Sequence, residues 1–367
     1  MTQPSLSVDL GPLRLSNPVI AGSSELTMTE AGITACVDAG AAAVVAKSIN
    51  EDPSAARQLD IADYLLVGSD HRPRSWARPD LTDSLLNRSG LAQSSLEEWV
   101  AMLGRCEDYA RAHSSMVVGS VTVSAPAPAA EIARRMAEVV RCVELNLSAP
   151  HGRESSTGAV RQVGSPDGVA EYTRTVRAAL DCPLIVKLTA QTADVVALAS
   201  AARDAGADVV ALIGRFQGFL PDVDTGEPLL GSAAAIGGAW ALPISLYWVT
   251  KSHVALPDVP LVGTNGARTG DDVVRFLLSG ASAVEMVSAL LMRGPVALSD
   301  AVADVATYLR RRGFSDVRDL VGEATRKART YSQLMAERDG RPPTFPWDGT
   351  LVDTASRGER GRGKDST

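Results

Sequence analysis

The chain has 367 residues, 45% of them hydrophobic and 22% charged, with a formal net charge of -7. That composition predicts a globular protein with a sizeable core, and its acidic balance argues against a nucleic-acid or anionic-membrane surface. No stretch approaches ~18 uninterrupted apolar residues, so no membrane span is predicted, and the first residues carry neither the basic nor the apolar segment of a signal peptide. Cys36, Cys106, Cys142 and Cys182 are widely spaced with no CxxC, which points to a reducing cytoplasm and predicts no metal site.

Taken in order, Ser5–Leu10 and Leu13–Ser16 flank Gly11–Pro12 and predict a short N-terminal β-hairpin. Pro18–Ala21 is the first buried strand, followed by a helix over Thr29–Ala39. Ala43–Ala46 is the second strand. Asn50–Ser94 after it is long and irregular, as a functional loop or lid would be. A helix over Ser95–Ala112 comes next. The alternation is then regular: strands at Met116–Val121, Arg141–Leu147, Leu184–Leu188, Asp208–Ile213, Pro260–Val262 and Ser282–Val287. Helices are predicted at Ala129–Val140, Val169–Leu180, Ala193–Ala205, Leu242–Ser252, Asp271–Leu278 and Val296–Arg311. Gly214–Gly238 forms a second long loop. Eight strands that each lead into a helix close most readily as a (β/α)8 TIM barrel, with long loops after the second and sixth strands; a doubly wound open sheet is the alternative. Residues 1–335 are read as this one domain and residues 336–367 as a C-terminal extension, disordered over Arg357–Thr367.

In such a barrel the chemistry sits at the C-terminal ends of the strands. Those ends collect Ala21, Gly22 and Ser23; Lys47; Ser120; Asn146 and Ser148; Lys187; Gly214 and Arg215; Gly263, Thr264, Asn265 and Gly266; and Ser288. Lys187 lies within the apolar run Ile185–Leu188, and a buried ammonium needs a partner. That partner is an anion or electron-rich ring, a Schiff-base carbonyl, or a neighbouring carboxylate. Gly263–Gly266 followed by Val287–Ala289 has the placement of a phosphate grip, with ordinary turns as the alternative. Asn87 and Ser89 stand in the long loop after the second strand. His151, just past Pro150, is positioned to act as acid or base.

These residues resemble the dihydroorotate dehydrogenase superfamily, and within it the dihydroorotate dehydrogenase-like branch. The resemblance is carried by Asn17–Ser23, Gly40–Ser48, Asn87–Leu91, Glu144–Pro150, Val186–Leu188, Gly263–Gly266 and Gly280–Ser282, in the family order over Val8 to Gly322. It implies FMN at the barrel mouth. Ala21, Gly22 and Ser23 would line the flavin; Lys47, Asn146 and Lys187 would contact its ring. Ser120 belongs to the same cofactor set, and Gly237, Gly238, Gly263, Asn265, Gly266 and Ser288 would hold or flank the phosphate. Asn87, Asn146, His151 and Arg215 would face the substrate. The sequence departs from the family at Ala149, where the catalytic Cys or Ser stands, at His151 in place of a substrate asparagine, and at Gly214 in place of another.

The resulting expectation is an FMN-dependent oxidoreductase acting on a CH–CH bond of a small polar or anionic substrate other than dihydroorotate. The proton would come from His151, a hydroxyl such as Ser148, Ser155 or Ser156, or solvent, with Lys187 in the catalytic group. The alternatives are a flavin-binding barrel with a non-redox role, and a Schiff-base aldolase using Lys187. A homodimer and a separate electron-transfer partner are further expectations.

Overall fold

The structure, a computed structural model, describes residues 3–122, 125–148 and 163–338. Eight apolar runs pair in parallel into a closed barrel: β1 Val19–Ala21, β2 Ala43–Val45, β3 Val117–Thr122, β4 Cys142–Asn146, β5 Leu184–Lys187, β6 Val209–Leu212, β7 Leu261–Gly263 and β8 Ala283–Met286. All eight are buried along their length. With helices outside and packed side chains inside, both faces of each strand must be apolar, which is why the runs are continuous rather than alternating. The barrel agrees with the sequence expectation. So does the hairpin of Val8–Leu10 with Leu13–Leu15, whose turn at Gly11 packs against the Asp208 carbonyl just before β6.

The surrounding helices are α1 Glu30–Asp38, α2 Leu96–Ala112, α3 Pro126–Ala137, α4 Pro166–Arg177, α5 Val195–Asp204, α6 Leu242–Ala255, α7 Gly270–Ser279 and α8 Val296–Arg312. Helix α2 opens with a reciprocal cap: the Ser95 hydroxyl accepts from the Glu98 N–H, and the Glu98 carboxylate accepts from the Ser95 N–H. Helices α3 and α4 each start three residues before the expected Ala129 and Val169. A proline leads each of them, and its fixed φ and missing N–H suit the first helical turn rather than the preceding loop.

The larger correction concerns the two long loops. Within Asn50–Ser94 lie strands Asp63–Val67, Pro73–Arg74 and Ser84–Arg88, and within Gly214–Gly238 lie Phe216–Gly218 and Ala234–Gly238. They join as one antiparallel five-stranded sheet in which Ser84–Arg88 is central, between Asp63–Val67 and Ala234–Gly238. A small core of Val67, Leu86, Leu230 and Ala234 holds it. The pairing that joins its two halves, Ser84–Arg88 with Ala234–Gly238, spans some 150 residues, so the local pattern gives little sign of the sheet as a whole.

Residues Met1–Arg326 group as one compact unit and Lys327–Thr367 as a second, in which the helix Tyr331–Arg338 is described. The sequence-based split after residue 335 falls inside that helix, and residues 339–367 lie outside the described set.

At the closed end of the barrel, Glu107 of α2 is fully buried. Its carboxylate accepts from the Val117 N–H at 2.7 Å and from Arg141. Glu107→Ala is expected to cost about 2–3 kcal/mol, because a buried N–H loses its acceptor. The denaturant midpoint measures it; an unchanged midpoint would show that the contact contributes nothing.

Candidate active site

Strand register sets the floor of the site. Glu144 pairs across with Ser120 and Ile185, and Asn146 with Thr122 and Lys187. Residues two apart on a strand share a face, so Glu144 and Asn146 both look into the barrel, one layer apart. Lys187 joins them from β5 and Glu285 from β8. The Lys187 ammonium is bonded to the Glu285 carboxylate and lies 3.6 Å from Glu144 Oε2. The Ser120 hydroxyl donates to Glu144 Oε1 at 3.0 Å and sits 2.8 Å from the Ser48 hydroxyl.

Of the partners that the sequence allows for Lys187, the barrel supplies carboxylates, two of them. Burial works against its charge, but Glu144 and Glu285 outweigh that and hold its pKa above the ordinary value. The Glu144 carboxyl is raised too, for a different first cause. Burial pushes its carboxyl up to about 7, Lys187 opposing and Glu285 assisting.

Above this floor is a cleft open to solvent. The strand ends contribute Ser23, Lys47, Asn146, Ser148, Lys187 and Ser288. The loops after β6 and β7 contribute Gly214, Arg215, Asn265 and Gly266, and the five-stranded sheet forms a wall with Tyr64, Asn87, Gly237 and Gly238. The sequence reading therefore names residues that converge, although some were read as loop. Ala21, Gly22, Ser120 and Gly263 stand behind the lining. Ser120 is in the barrel interior, and a side chain at Gly263 would point at the Phe276 ring rather than into the cleft. His151, Ala149, Ser155 and Ser156 lie outside the described residues.

Three clusters furnish the cleft. Lys47 donates to Glu25 at 2.5 Å. Burial raises the Glu25 carboxyl, yet the Lys47 ammonium outweighs it and keeps the carboxyl below its usual range. Asn146 Oδ1 accepts from both the N–H and the hydroxyl of Ser148, at 2.9 and 2.7 Å. Arg215 uses one nitrogen, Nη1, to bond Asn87 Oδ1 and the Ser89 hydroxyl. No carboxylate lies within ion-pair distance of Arg215 among the described residues, and its other nitrogens carry no hydrogen bond there; burial works against its charge, with Glu25 opposing from further away. Glu25, Tyr64 and Glu285 were not singled out from the sequence. For Glu285 a signal existed: a charge inside the apolar run Ala283–Met286, the same anomaly that marks Lys187.

A profile of the family described as dihydroorotate dehydrogenase matches residues 5–309. The chain belongs to the dihydroorotate dehydrogenase family. It is 30% identical over 329 residues to the catalytic subunit of dihydroorotate dehydrogenase B (NAD(+)) of Thermococcus kodakarensis, covering 88% of this chain and 99% of that one. The subunit of the same description from Pyrococcus abyssi is 29% identical over 325 residues, 87% of this chain and 99% of its own. That from Methanosarcina acetivorans is 30% identical over 319 residues, 86% and 94%.

Members of this family are flavin-dependent oxidoreductases that act on a CH–CH bond and bind FMN. The cleft fits that group. Gly237 and Gly266 bring backbone to the cleft, and a Cβ there would lie 2.9 Å from Asn265 Oδ1 or 2.6 Å from the Leu242 backbone, so the chain's own packing keeps both positions free of a side chain. The buried Ser24 hydroxyl, at the edge of the cleft, has no hydrogen-bond partner among the described residues and is available to a ligand. No helix among the described residues is long and apolar enough to cross a membrane.

Proposed function

We propose that this flavin-dependent enzyme oxidises or reduces a carbon–carbon bond of a small anionic molecule gripped by Arg215. The observation that carries the reading is the guanidinium itself, a cation in the cleft with no carboxylate of the described residues within ion-pair distance; Glu25, bonded to Lys47, acts on it only from further away. A cation so weakly paired in a confined site favours an opposite charge on the ligand. Asn87, the substrate-facing amide named from the sequence, is already engaged by Arg215. That differs from a free amide clamp and favours a substrate other than dihydroorotate, as does alanine at position 149.

FMN, when bound, would supply hydride chemistry at a substrate carbon. The glycines at 237, 238 and 266, with Asn265 and Ser288, would hold its phosphate. Lys47, Asn146 and Lys187 would meet its ring, with Ala21, Gly22, Ser23, Ser120 and Gly263 shaping the seat from behind. Arg215 and Asn87 orient the substrate, and the sheet wall of Tyr64 and Asn87 excludes water on one side. The accompanying proton is assigned to His151, with Ser148 as the alternative. The Ser148 hydroxyl already donates to Asn146, so it needs that bond released to give a proton away. A Schiff-base role for Lys187 is disfavoured, because a nucleophilic amine needs a depressed pKa and the two carboxylates raise it.

A second reading is dihydroorotate itself, favoured by the relatives, which are dihydroorotate dehydrogenase B catalytic subunits. Those relatives also support a separate electron-transfer subunit, since they are catalytic subunits and the four cysteines of this chain are too scattered to hold an iron–sulfur cluster. A homodimer and a cytoplasmic location belong to the same proposal; four free thiols suit a reducing compartment.

The test is anaerobic. FMN-loaded protein is expected to lose its visible flavin absorption on addition of a saturated carboxylate or dicarboxylate from a panel. Bleaching by dihydroorotate alone would favour the second reading. A protein that holds no FMN, or whose flavin answers to no acid in the panel, would sink both.

A further inference from the structure

Three ionisable side chains meet inside the barrel beneath the cleft, and their charges do not cancel. Lys187 brings one positive charge; Glu285 and Glu144 bring two carboxylates to it. All three are buried, and Lys187 and Glu285 also line the cleft. Glu144 Oε2 makes no hydrogen bond within the described residues. A buried carboxylate oxygen left so is disfavoured as an anion, whereas a protonated carboxyl is tolerated. Nothing else near the pair offers a compensating charge. The walls of β1, β6 and β7 are apolar here, β3 gives only Ser120, and the end of β2 gives Ser48 and Lys47, the latter committed to Glu25. Arg215, from the loop after β6, opposes the Lys187 charge at longer range and is bonded to Asn87.

We propose that Glu144 and Glu285, joined through Lys187, form a redox-linked proton store that gains one proton when the flavin seated above it is reduced. The proposal rests on the FMN reading given above. With one proton on the acid pair the cluster is neutral; without it the cluster carries one net negative charge. Electrons entering the cleft add negative charge above, which strengthens the pair's hold on a proton. The balance is simple. Two electrons and the proton that flavin reduction itself requires would go to the cofactor, one further proton goes from solvent onto a carboxylate oxygen of the pair, and reoxidation releases all of them. The hydroxyls of Ser48 and Ser120, 2.8 Å apart and ending 3.0 Å from Glu144 Oε1, give that proton a route from the cleft. Because the two acids are coupled, the proton belongs to the pair rather than to either residue.

The sign of the pH dependence follows. Burial sets the Glu144 carboxyl at about 7 before reduction. Below that pH the pair is already protonated and reduction takes up nothing further there. Above it, reduction carries one extra proton per two electrons, so the midpoint potential falls more steeply with rising pH.

The experiment is a reductive titration of FMN-loaded protein with dithionite, followed by flavin absorption against reference dyes between about pH 6 and pH 9. The wild type is expected to bend near pH 7. Glu144→Gln is expected to lose the bend and to lie at higher potential than the wild type above it, because the net negative charge is gone. Ser120→Ala keeps both carboxyls but removes a hydrogen bond to the charged form, and is expected to move the bend to higher pH. Superimposable curves for wild type, E144Q and S120A, all holding FMN, would overturn the proton store and leave the flavin reading standing. Failure of the wild type to hold FMN would overturn both. Should E144Q not fold, an unmoved bend in S120A overturns the store by itself.

Discussion

Lys187→Ala is expected to destabilise the protein by about 3–5 kcal/mol at pH 8, since removing the cation from a buried ion pair strands its partners. Here two carboxylates, Glu144 and Glu285, lose one ammonium together. The loss has a direction with pH. Stranded acids take up protons, so the penalty shrinks as pH falls, and guanidinium unfolding at about pH 5 and about pH 8 separates the two conditions. An equal loss at both would mean that the effect is packing rather than charge. The wild type carries a related slope of its own. The folded Glu144 carboxyl at about 7 stands above its ordinary 4.5. Its contribution is therefore fully present below about pH 4.5 and is lost as pH rises through about 7. Lys187, whose pKa is raised, contributes below its ordinary value and loses that contribution only in strong alkali, so it is silent across this window.

Arg215→Gln is expected to reduce kcat/KM about 100-fold for whichever acid bleaches the flavin, a loss of about 3 kcal/mol. FMN should be retained, because the phosphate cradle proposed above consists of Gly237, Gly238 and Gly266 and does not include Arg215. Arg215→Lys should rescue little. An ammonium cannot hold Asn87 and Ser89 with one nitrogen while presenting others to the ligand. Steady-state kinetics on the two variants decide it; unchanged KM and kcat in R215Q would remove Arg215 from the substrate site.

Much of this architecture was legible in the residue order. The eight continuous apolar runs called for a parallel sheet, because a strand covered on both faces dispenses with polar alternation, and closure into a barrel instead of a doubly wound open sheet is seen in the strand pairing. The punctuation that ends those runs, Lys47, Asn146, Lys187 and Arg215 among it, marked the mouth. Sequence spacing also exposed Lys187 as anomalous, since a charge in a buried strand demands a partner. Which partner was a different matter. Ile185 and Val186 say nothing about Glu285, 98 residues further on, and only closure of β8 against β1 carries Glu285 round to the ammonium. The sheet that walls the cleft was hidden for the same reason. Asp63–Val67 and Ser84–Arg88 pair with each other locally, but Ser84–Arg88 becomes the centre of a sheet only when Ala234–Gly238 pairs along its other edge. Residue type and periodicity are local properties and fix each strand's own faces. Register, charge compensation and the burial that lifts the Glu144 carboxyl are sums over neighbours distant in the chain, and those exist only once the barrel has closed.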